Sequence, residues 1–355
     1  MGRCKKRHSR DEGRLRDGFT DRLKPVKPLD LSKIETVNDL VTQMSFTSFG
    51  GRSVGEAADV LFEMVRDEDC FVVLTLSGAM TVAKMGLVIC DMIDSSLVDA
   101  IVSTGAIMAH GFVEGAGLVH FKYDRDMDDT ELYYAGYDRV YDTLELEKNL
   151  DDVEIIFKEV LDGIKRDTVL SSHFLNREIG NYLAKNTKMR GIAKSAYLKK
   201  VPIFIPAYTD SELGLDLGIY NRRAKMNNEK AFSFDPFLDL EYFTDLIMKQ
   251  KKMGIFTIGG GVPRNWAQQV GPYLDIIGKR LKQGGDFKRY SYGIRICPEP
   301  VHWGGLSGCT YSEGISWGKF TPPSEGGRWA EVYSDATIAL PLIVKAVLER
   351  MQGRR

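Results

Sequence analysis

Closely spaced cysteines and histidines are missing from this chain. Its five cysteines are Cys4, Cys70, Cys90, Cys297 and Cys309. Their number is odd and no two have C-x-x-C spacing, which argues against a zinc knuckle and a dithiol redox motif. The five histidines form no H-x-x-x-H or H-E-x-x-H pair, so we expect no bound metal. Cys70 and Cys90 lie in apolar segments and are predicted to be buried thiols, which fits a reducing cytoplasm.

Long apolar runs and a net charge are missing as well. No stretch approaches the roughly eighteen apolar residues of a transmembrane helix, and the N-terminal segment lacks the apolar centre of a secretory signal. The 48 basic residues nearly balance the 49 acidic ones, so the net charge of −1 gives no general attraction to nucleic acid or membranes. With 43% hydrophobic and 27% charged residues, the chain is typical of a globular cytoplasmic protein with a large core.

The chain divides into a short polar start and one long folded unit. Residues 1–18 are rich in Arg, Lys and Asp and are predicted to form a mobile, solvated arm, with nucleic-acid contact as the less favoured alternative. Together with a proline-marked lead-in, this arm extends over residues 1–40. Residues 41–355 are predicted to form a single catalytic domain.

From residue 56 onward, the apolar pattern alternates between helices and buried strands. Short, continuous apolar runs predict buried parallel strands over residues 70–75, 98–103, 200–206, 254–258 and 290–296. Helical spacing predicts helices over residues 57–65, 80–93, 150–164 and 336–351. The alternation predicts an α/β fold with a mostly parallel sheet and helices on both faces.

Four loops at predicted strand ends could carry chemistry, since ligands of open parallel sheets bind there. Gly259-Gly260-Gly261 precedes a predicted helix, so it could offer backbone N–H groups to an anion, or it could be only a tight turn. The other three loops contain Ser77 and Gly78, Thr104 and Gly105, and Asp210, Glu212 and Asp216. The carboxylates of the last loop could bind ribose hydroxyls or a cationic ligand, or simply cap a helix.

The segment Glu313-Gly-Ile-Ser-Trp-Gly-Lys319 is the most informative part of the sequence. A lysine amine attacks carbonyl or imine carbons only when it is neutral, and burial against the indole of Trp317 would lower its pKa. Flanking glycines allow a ligand to approach the backbone closely. We therefore predict that Lys319 is a nucleophile, although a surface lysine beside a core tryptophan would also fit this segment alone.

Together these segments resemble deoxyhypusine synthase. The matching segments, in the family's order, begin at Phe19, Leu29, Ser77, Val98, Pro206, Gly259, Glu313 and Val332. They span most of the chain from residue 19 onward. The resemblance implies a Rossmann-like, NAD-binding α/β fold in a homotetramer whose active sites are shared between subunits. It also implies a reaction in which NAD oxidises spermidine and the aminobutyl group passes through a lysine imine to an acceptor amine.

The resemblance assigns roles to individual residues. Lys319 would form the imine, Trp317 would pack along the alkyl chain, and Glu313 would hold an amino group. Asp216 is a further candidate for binding the polycationic substrate, which favours carboxylates at its ends and an apolar wall between them. The NAD contacts would be Ser77, Gly78, Thr104, Gly105, Asp210, Gly259, Gly260, Asp335 and Ala336.

Several positions depart from the pattern of the synthases. After the glycines, the synthases have a lysine and paired histidines, where this chain has Arg264-Asn265-Trp266. An asparagine of the synthases is replaced by Gln269, and an acidic residue is replaced by Leu306. A glutamate pair is replaced near Ala109-His110, and the second aspartate of the Asp210 loop falls one position late, at Asp216. These positions belong to the substrate and cofactor pockets. The lysine chemistry therefore carries over better than the identity of the substrate, as in the deoxyhypusine-synthase-like branch of the family.

Three alternatives remain open at this point. The acceptor could be a lysine of the hypusine-bearing translation factor, or a free diamine such as putrescine, which would give homospermidine. The chain could instead be a non-catalytic NAD-binding protein. An NAD-consuming deacylase is the least favoured alternative, because the sequence lacks a paired-cysteine zinc site.

Overall fold

The computed structural model describes residues 16–282 and 287–353. Residues 1–15 of the predicted arm lie outside the described residues. The helices are α1 (Val37–Met44), α2 (Phe49–Arg66), α3 (Gly86–Asp94), α4 (Gly105–Gly115), α5 (Asp129–Ala135), α6 (Glu147–Asp162), α7 (Ser172–Asn186), α8 (Ile192–Lys199), α9 (Glu212–Met226), α10 (Phe237–Met248), α11 (Gly261–Gln268), α12 (Val270–Leu281), α13 (Tyr311–Ser316) and α14 (Ala336–Gln352). The strands are β1 (Cys70–Leu76), β2 (Ala100–Ser103), β3 (Phe121–Lys122), β4 (Tyr137–Val140), β5 (Thr143–Leu146), β6 (Val169–Leu170), β7 (Ile203–Phe204), β8 (Ser233–Phe234), β9 (Lys252–Ile258), β10 (Tyr290–Ile296) and β11 (Arg328–Val332).

Six parallel strands form the central sheet in the order β11-β10-β9-β1-β2-β7. The chain first moves outward from β1 through β2 to β7, then returns to the other side of β1 and adds β9, β10 and β11. The strand order therefore reverses between β1 and β9. In doubly wound sheets, this switch point opens a crevice at the carboxyl ends of the strands. The predicted α/β fold with a parallel sheet is confirmed.

Both faces of the sheet are covered, because alternate side chains of a strand point to opposite faces. Val72 and Leu74 of β1 join one core cluster, which also includes α2, α3, α4 and α14. Val73 joins a second cluster with α10 and α11. Full burial of one such aliphatic side chain contributes about 1.5–3 kcal/mol, so a strand buried on both faces is strongly held.

The predicted helix over residues 80–93 is wrong in its first half. Residues 80–85 form hydrogen-bonded turns, and α3 begins only at Gly86. Lys84 has a left-handed φ of 62°, which a continuing helix does not allow. Thr81 is fully buried and donates its hydroxyl to Ile107 O, so the turn buries side chains much as a helix would. The spacing of apolar residues alone therefore could not distinguish this turn from a helix.

The charged stretch after residue 117 contains a small sheet that the sequence did not predict. Strands β3, β5 and β4 pair antiparallel in that order. On β5, Glu145 is 1% exposed, although a glutamate in a short charged strand suggests a solvent-facing position. Among the described helices, none combines the length and apolar character needed to cross a bilayer.

Candidate active site

At the switch point between β1 and β9, the loops that follow these two strands pack tightly against each other. Ser77 follows β1, and its hydroxyl accepts a hydrogen bond of 2.7 Å from Gly260 N. The N–H of Gly259 donates to Ile296 O at 2.8 Å. The expectation that these amides are free to bind an anion is therefore wrong for both glycines. The alternative of a tight turn holds, because Gly259 has φ +75° and a Cβ on Gly260 would lie 2.5 Å from Ser307 Cα.

The end of β2 leaves a polar group without a partner beside this junction. The hydroxyl Oγ1 of Thr104 is buried and has no hydrogen-bond partner in the described part of the chain. A buried hydroxyl left in this state costs about 1–3 kcal/mol, which a ligand hydroxyl or phosphate could offset. Next to it, Gly105 packs so closely on α9 that a Cβ would lie 2.3 Å from Ser211 Oγ. The hydroxyl of Thr104 is therefore available to a ligand that lies over the strand ends.

The other predicted cofactor residues lie in loops at the same edge. Gly78 is exposed, has φ +79° and has open space around it. Asp210 is exposed, and the neighbouring Ser211 rather than Asp210 caps α9. Asp335 caps α14 through a 2.7 Å hydrogen bond from Thr337 N to its Oδ1. Ala336 is buried at the first position of α14. Helix capping accounts for Asp335 without a ligand, whereas it does not account for Asp210.

A second feature is a cavity of about 510 Å³ that contains the predicted lysine. Its walls come from α11, α12, α13 and the loop between β10 and α13. The lining residues on which the chemistry depends are Lys319, Glu313, Trp317, Asn265, Gln269 and Leu306. The backbone of Lys319 is fixed on both sides, since its N–H donates to Gly314 O at 3.0 Å and its carbonyl accepts from Tyr290 N at 2.9 Å.

The side chain of Lys319 is half-buried, and its amine donates to Asn265 Oδ1 at 3.1 Å. Burial lowers the pKa of Lys319, and the positive charge of Arg264 lowers it further against the opposing effects of Cys309 and Glu313. The indole of Trp317 lies 5.9 Å from Nζ but is 66% exposed. Burial against this ring, which the sequence suggested, is therefore not the main cause of the lowered pKa.

Two buried arginines hold the wall of the cavity. Arg264 is 2% exposed and donates to three carbonyls, those of Leu306 at 3.2 Å, Ser307 at 3.4 Å and Cys309 at 2.6 Å. Arg295 is 1% exposed and donates to the same Ser307 and Cys309 carbonyls at 2.6 and 2.9 Å. These charge-assisted bonds fix the loop that faces Lys319.

The three residues Arg264-Asn265-Trp266, which depart from the pattern of the synthases, therefore have three different structural roles. Arg264 supports the loop, and Asn265 is the member that contacts the lysine amine. Trp266 packs in the second core cluster, with ring centres 5.7 Å from Phe204 and 5.0 Å from Phe243. Of the three replacements, only Asn265 lines the cavity of Lys319.

The lysine cavity and the switch point adjoin each other. Gly260 of the glycine loop touches Ser307, which belongs to the loop on the cavity wall. Helix α11 begins at Gly261 in that same glycine loop, and Asn265 follows about 6 Å further along the axis. A ligand over the strand ends and a chain bound at Lys319 can therefore meet across a single helical turn.

Asp216 belongs to an acidic group on α9 that lies outside the lining of the lysine cavity. Burial raises the pKa of Asp216 to about 6, and repulsion from Glu154 and Glu212 adds to the effect. Glu212 and Asp216 are four residues apart on α9 and so share one face. Such a partly dehydrated cluster attracts a cation, although within one chain the structure does not bring it to Lys319.

Changing Asn265 to aspartate tests the electrostatics of the lysine. A carboxylate at the position of Oδ1 would stabilise the ammonium form, so the pKa of Lys319 should rise and less neutral amine should be present at neutral pH. We expect labelling of Lys319 by an amine-selective reagent at pH 7.5 to slow by about tenfold. Asn265→Gln is the matched control, and equal labelling rates in Asn265→Asp and the control would contradict the assignment.

Changing Asp216 to asparagine should stabilise the protein at neutral pH. The pKa of Asp216 is raised in the folded state, so its ionisation costs stability as the pH rises from about 4 to about 6, and the cost persists above that range. After allowance for partial solvent screening, Asp216→Asn should gain about 1 kcal/mol at pH 7.5 and little at pH 4. The exposed Asp245→Asn is the control, and a loss of stability at pH 7.5 would contradict this account.

One group of potential ligands was missed in the sequence. His110, His120 and Glu145 come together from α4, the segment before β3, and β5, with their ligand atoms all within 4.8 Å of one another. They are separated by 10 and 25 residues along the chain, so no short spacing motif marks them. The sequence-based expectation of no metal rested on such motifs alone.

Comparisons with known proteins bear on the family and the fold. The family model described as deoxyhypusine synthase matches residues 39–347. The chain is 33% identical over 329 residues to "probable deoxyhypusine synthase 2" of Methanosarcina acetivorans, which covers 92% of this chain and 90% of that protein. It is 35% identical over 306 residues to the protein of the same name from Archaeoglobus fulgidus, which covers 86% of this chain and 96% of that protein.

A further relative and a solved structure extend the comparison. The "deoxyhypusine synthase-like protein" of Chlorobaculum parvum is 33% identical over 321 residues, which cover 90% of this chain and 88% of that protein. The crystal structure of a candidate deoxyhypusine synthase from Entamoeba histolytica superposes with a TM-score of 0.58 at 15% identity, covering 91% of this chain and 97% of that one. At this low identity, the structural similarity shows a shared fold.

Proposed function

The chain belongs to the deoxyhypusine synthase family, and on this basis we propose that it is an NAD-dependent transferase of aminobutyl groups. The donor in this proposal is spermidine or a related polyamine. The amine of Lys319 attacks the oxidised donor, forms a C=N bond and releases diaminopropane. An acceptor amine then displaces Lys319 from the same carbon. NAD, when bound, would take a hydride from the donor and return it to the product, which leaves no net redox change.

The observation that carries the proposal is the environment of Lys319. Its amine is half-buried in a cavity, its pKa is lowered, and its single side-chain hydrogen bond among those described is to a neutral amide oxygen. A neutral acceptor does not hold the ammonium form as a carboxylate would, so neutral amine is accessible for attack. The same cavity contains Glu313, which could bind a substrate ammonium group.

The arrangement of the sheet supports NAD as the cofactor. The strand order is the one in which doubly wound sheets bind dinucleotides at the switch point. Ser77, Thr104 and the glycine loop lie there, and the buried hydroxyl of Thr104 lacks a partner among the described residues. The adjoining lysine cavity would keep the imine and the cofactor's reactive end away from water.

We further propose a cytoplasmic homotetramer with active sites shared between subunits. The four described cysteines are free thiols, as in a reducing compartment. The acidic group on α9 lies apart from the lysine cavity, so a neighbouring subunit is one way to bring carboxylates to the far end of the polyamine. Light scattering of the purified protein would give the subunit number directly.

The acceptor is either a protein lysine or a small diamine such as putrescine. Of the residues that replace the lysine and histidines of the synthases, only Asn265 lines the cavity, since Arg264 and Trp266 pack elsewhere. Leu306, which replaces an acidic residue, lines the cavity as well, so these two positions give a neutral wall. This wall favours a small acceptor, and hence a homospermidine synthase-type reaction, as the second candidate function.

Product masses separate these candidates. The enzyme would be incubated with NAD and spermidine, and with either putrescine or the hypusine-bearing translation factor. Homospermidine or a deoxyhypusine-modified protein would each support transfer and identify the acceptor. NAD binding without diaminopropane release or product, in the presence of both acceptors, would instead indicate the non-catalytic NAD-binding protein.

A further inference from the structure

Helix α4 and the small antiparallel sheet together bring two imidazoles to one carboxylate oxygen. The Nδ1 atom of His110 lies 3.1 Å from Glu145 Oε2, and the Nε2 atom of His120 lies 2.6 Å from the same oxygen. The side chains of His120 and Glu145 are 0% and 1% exposed, and that of His110 is 17% exposed. From these contacts we infer that His110, His120 and Glu145 form a binding site for a divalent transition-metal ion such as Zn²⁺.

The first argument is the state of His120. Its Nε2 atom is buried and has no hydrogen-bond partner in the described residues, although it is close to Glu145 Oε2. The two atoms are at ion-pair distance, but the contact lacks the alignment of a hydrogen bond. Buried polar atoms rarely stay unsatisfied, and a metal ion between the three ligand atoms would satisfy this one.

The second argument is the chemistry of the ligand set. Two imidazole nitrogens and one carboxylate oxygen are the donors that Zn²⁺ and other divalent first-row metals prefer, with positions left open for water. Metal–ligand bonds of about 2.0–2.2 Å place neighbouring ligand atoms about 3.4 Å apart in a tetrahedral site. The two nitrogen–oxygen separations are 3.1 and 2.6 Å, so they need to open by less than about 1 Å. All three ligand atoms lie within 4.8 Å of one another, so the two nitrogens need to approach by no more than about 1.4 Å.

The third argument is the support behind the carboxylate. The other oxygen of Glu145, Oε1, accepts hydrogen bonds from Asn149 Nδ2 at 2.8 Å and from Leu146 N at 3.1 Å. The same Asn149 amide donates to Val119 O at 2.9 Å, one residue before His120. Asn149 thus ties two ligand-bearing segments together and turns Oε2 toward the histidines. Metal sites depend on such supporting contacts.

Lys84 would have to move when a metal ion binds. Its amine lies 2.6 Å from Nδ1 of His120 and 2.9 Å from Glu114 Oε1. With a metal on Nε2, Nδ1 of His120 carries the proton, so Lys84 has to turn toward Glu114 alone. The side chain of Lys84 is 47% exposed, which makes this movement easy. A bound ion would fasten the segment that carries β3 and β5 to α4, the helix that starts at the strand edge with Gly105.

Calorimetry of the chelator-stripped full-length protein with Zn²⁺ tests this site independently of any enzymatic activity. We expect one Zn²⁺ per chain, a Zn²⁺-dependent rise in Tm, and a visible Co²⁺ spectrum typical of nitrogen and oxygen ligands. His120→Asn and Glu145→Gln should each weaken Zn²⁺ binding by about a hundredfold or more. The control His302→Asn, an exposed histidine outside the group, should bind as the natural protein does.

Lys84→Met separates a metal site from a closed ion-paired network. If the three residues bind a metal, loss of the competing amine should leave Zn²⁺ affinity unchanged or increase it. The inference is overturned if the natural protein binds no Zn²⁺ or Co²⁺, or if binding is unchanged in both His120→Asn and Glu145→Gln. The Co²⁺ spectrum of the natural protein decides the question even if these two variants fail to fold.

Discussion

Replacing Lys319 with alanine is expected to abolish aminobutyl transfer, with a loss of at least about 10⁴-fold in turnover. The variant lacks the atom that forms the C=N bond, while its backbone contacts to Gly314 and Tyr290 remain possible. Release of diaminopropane from spermidine in the presence of NAD is the measurement.

Two further variants sharpen this test. Lys319→Arg keeps a positive charge of similar length but cannot form the imine, so it should be as inactive as the alanine variant. Lys345→Ala removes an exposed lysine of α14 and should leave the rate unchanged. Turnover of Lys319→Arg within a few-fold of the natural protein would contradict covalent catalysis by this residue.

Replacing Arg264 with methionine should destabilise the protein strongly. The methionine has a similar volume, but it leaves the carbonyls of Leu306, Ser307 and Cys309 without one of their buried donors. Since Arg295 still serves two of these carbonyls, we expect a loss of about 3 kcal/mol and a fall in Tm of at least about 5 °C. Calorimetric unfolding measures both effects.

The matched control for this change is Arg328→Met. Arg328 makes a surface ion pair with Glu63, and exposed pairs contribute about 0–1 kcal/mol. Arg264→Met should also raise the pKa of Lys319, because a positive neighbour is lost and the wall of the cavity loosens. A Tm for Arg264→Met as high as that of Arg328→Met would show that the arginine does not support the loop.

Five strands of the central sheet were predicted, most clearly where they are continuous apolar runs. Strand β11 was not predicted, because its sequence RWAEV includes two charged residues. The predictions over 70–75 and 254–258 coincide with β1 and β9, which are buried on both faces and therefore show no alternation of polar residues. The turn at residues 80–85 was mistaken for a helix because Thr81 and Val82 are buried in it. The small sheet was missed because its strands are short and charged, with Glu145 buried among them.

The sequence predicted residues for the candidate site, but not how they are arranged. The segment from Glu313 to Lys319 indicated the nucleophile, and the structure places both residues in one cavity. The sequence could not show that Arg264 points into the loop while Asn265 meets the amine, because adjacent helical residues face different neighbours. Nor could it show that the amides of Gly259 and Gly260 are already bonded within the protein.

The separation of Asp216 from Lys319 was also beyond the sequence. Asp216 and Lys319 were both expected to contact the same substrate. In the structure, Asp216 lies on α9, outside the lining of the lysine cavity. The triad of His110, His120 and Glu145 depends on pairing between β3 and β5, which are about 20 residues apart with α5 and β4 between them. Contacts of this range carry no local signal.

Borohydride trapping tests the central claim most directly. The natural protein would be incubated with NAD and spermidine, reduced with borohydride, digested and analysed by peptide mass spectrometry. The account predicts an aminobutyl adduct on Lys319 that requires both small molecules and is absent from Lys319→Ala. An adduct on another lysine, or none in a folded protein that binds NAD and spermidine, would contradict it.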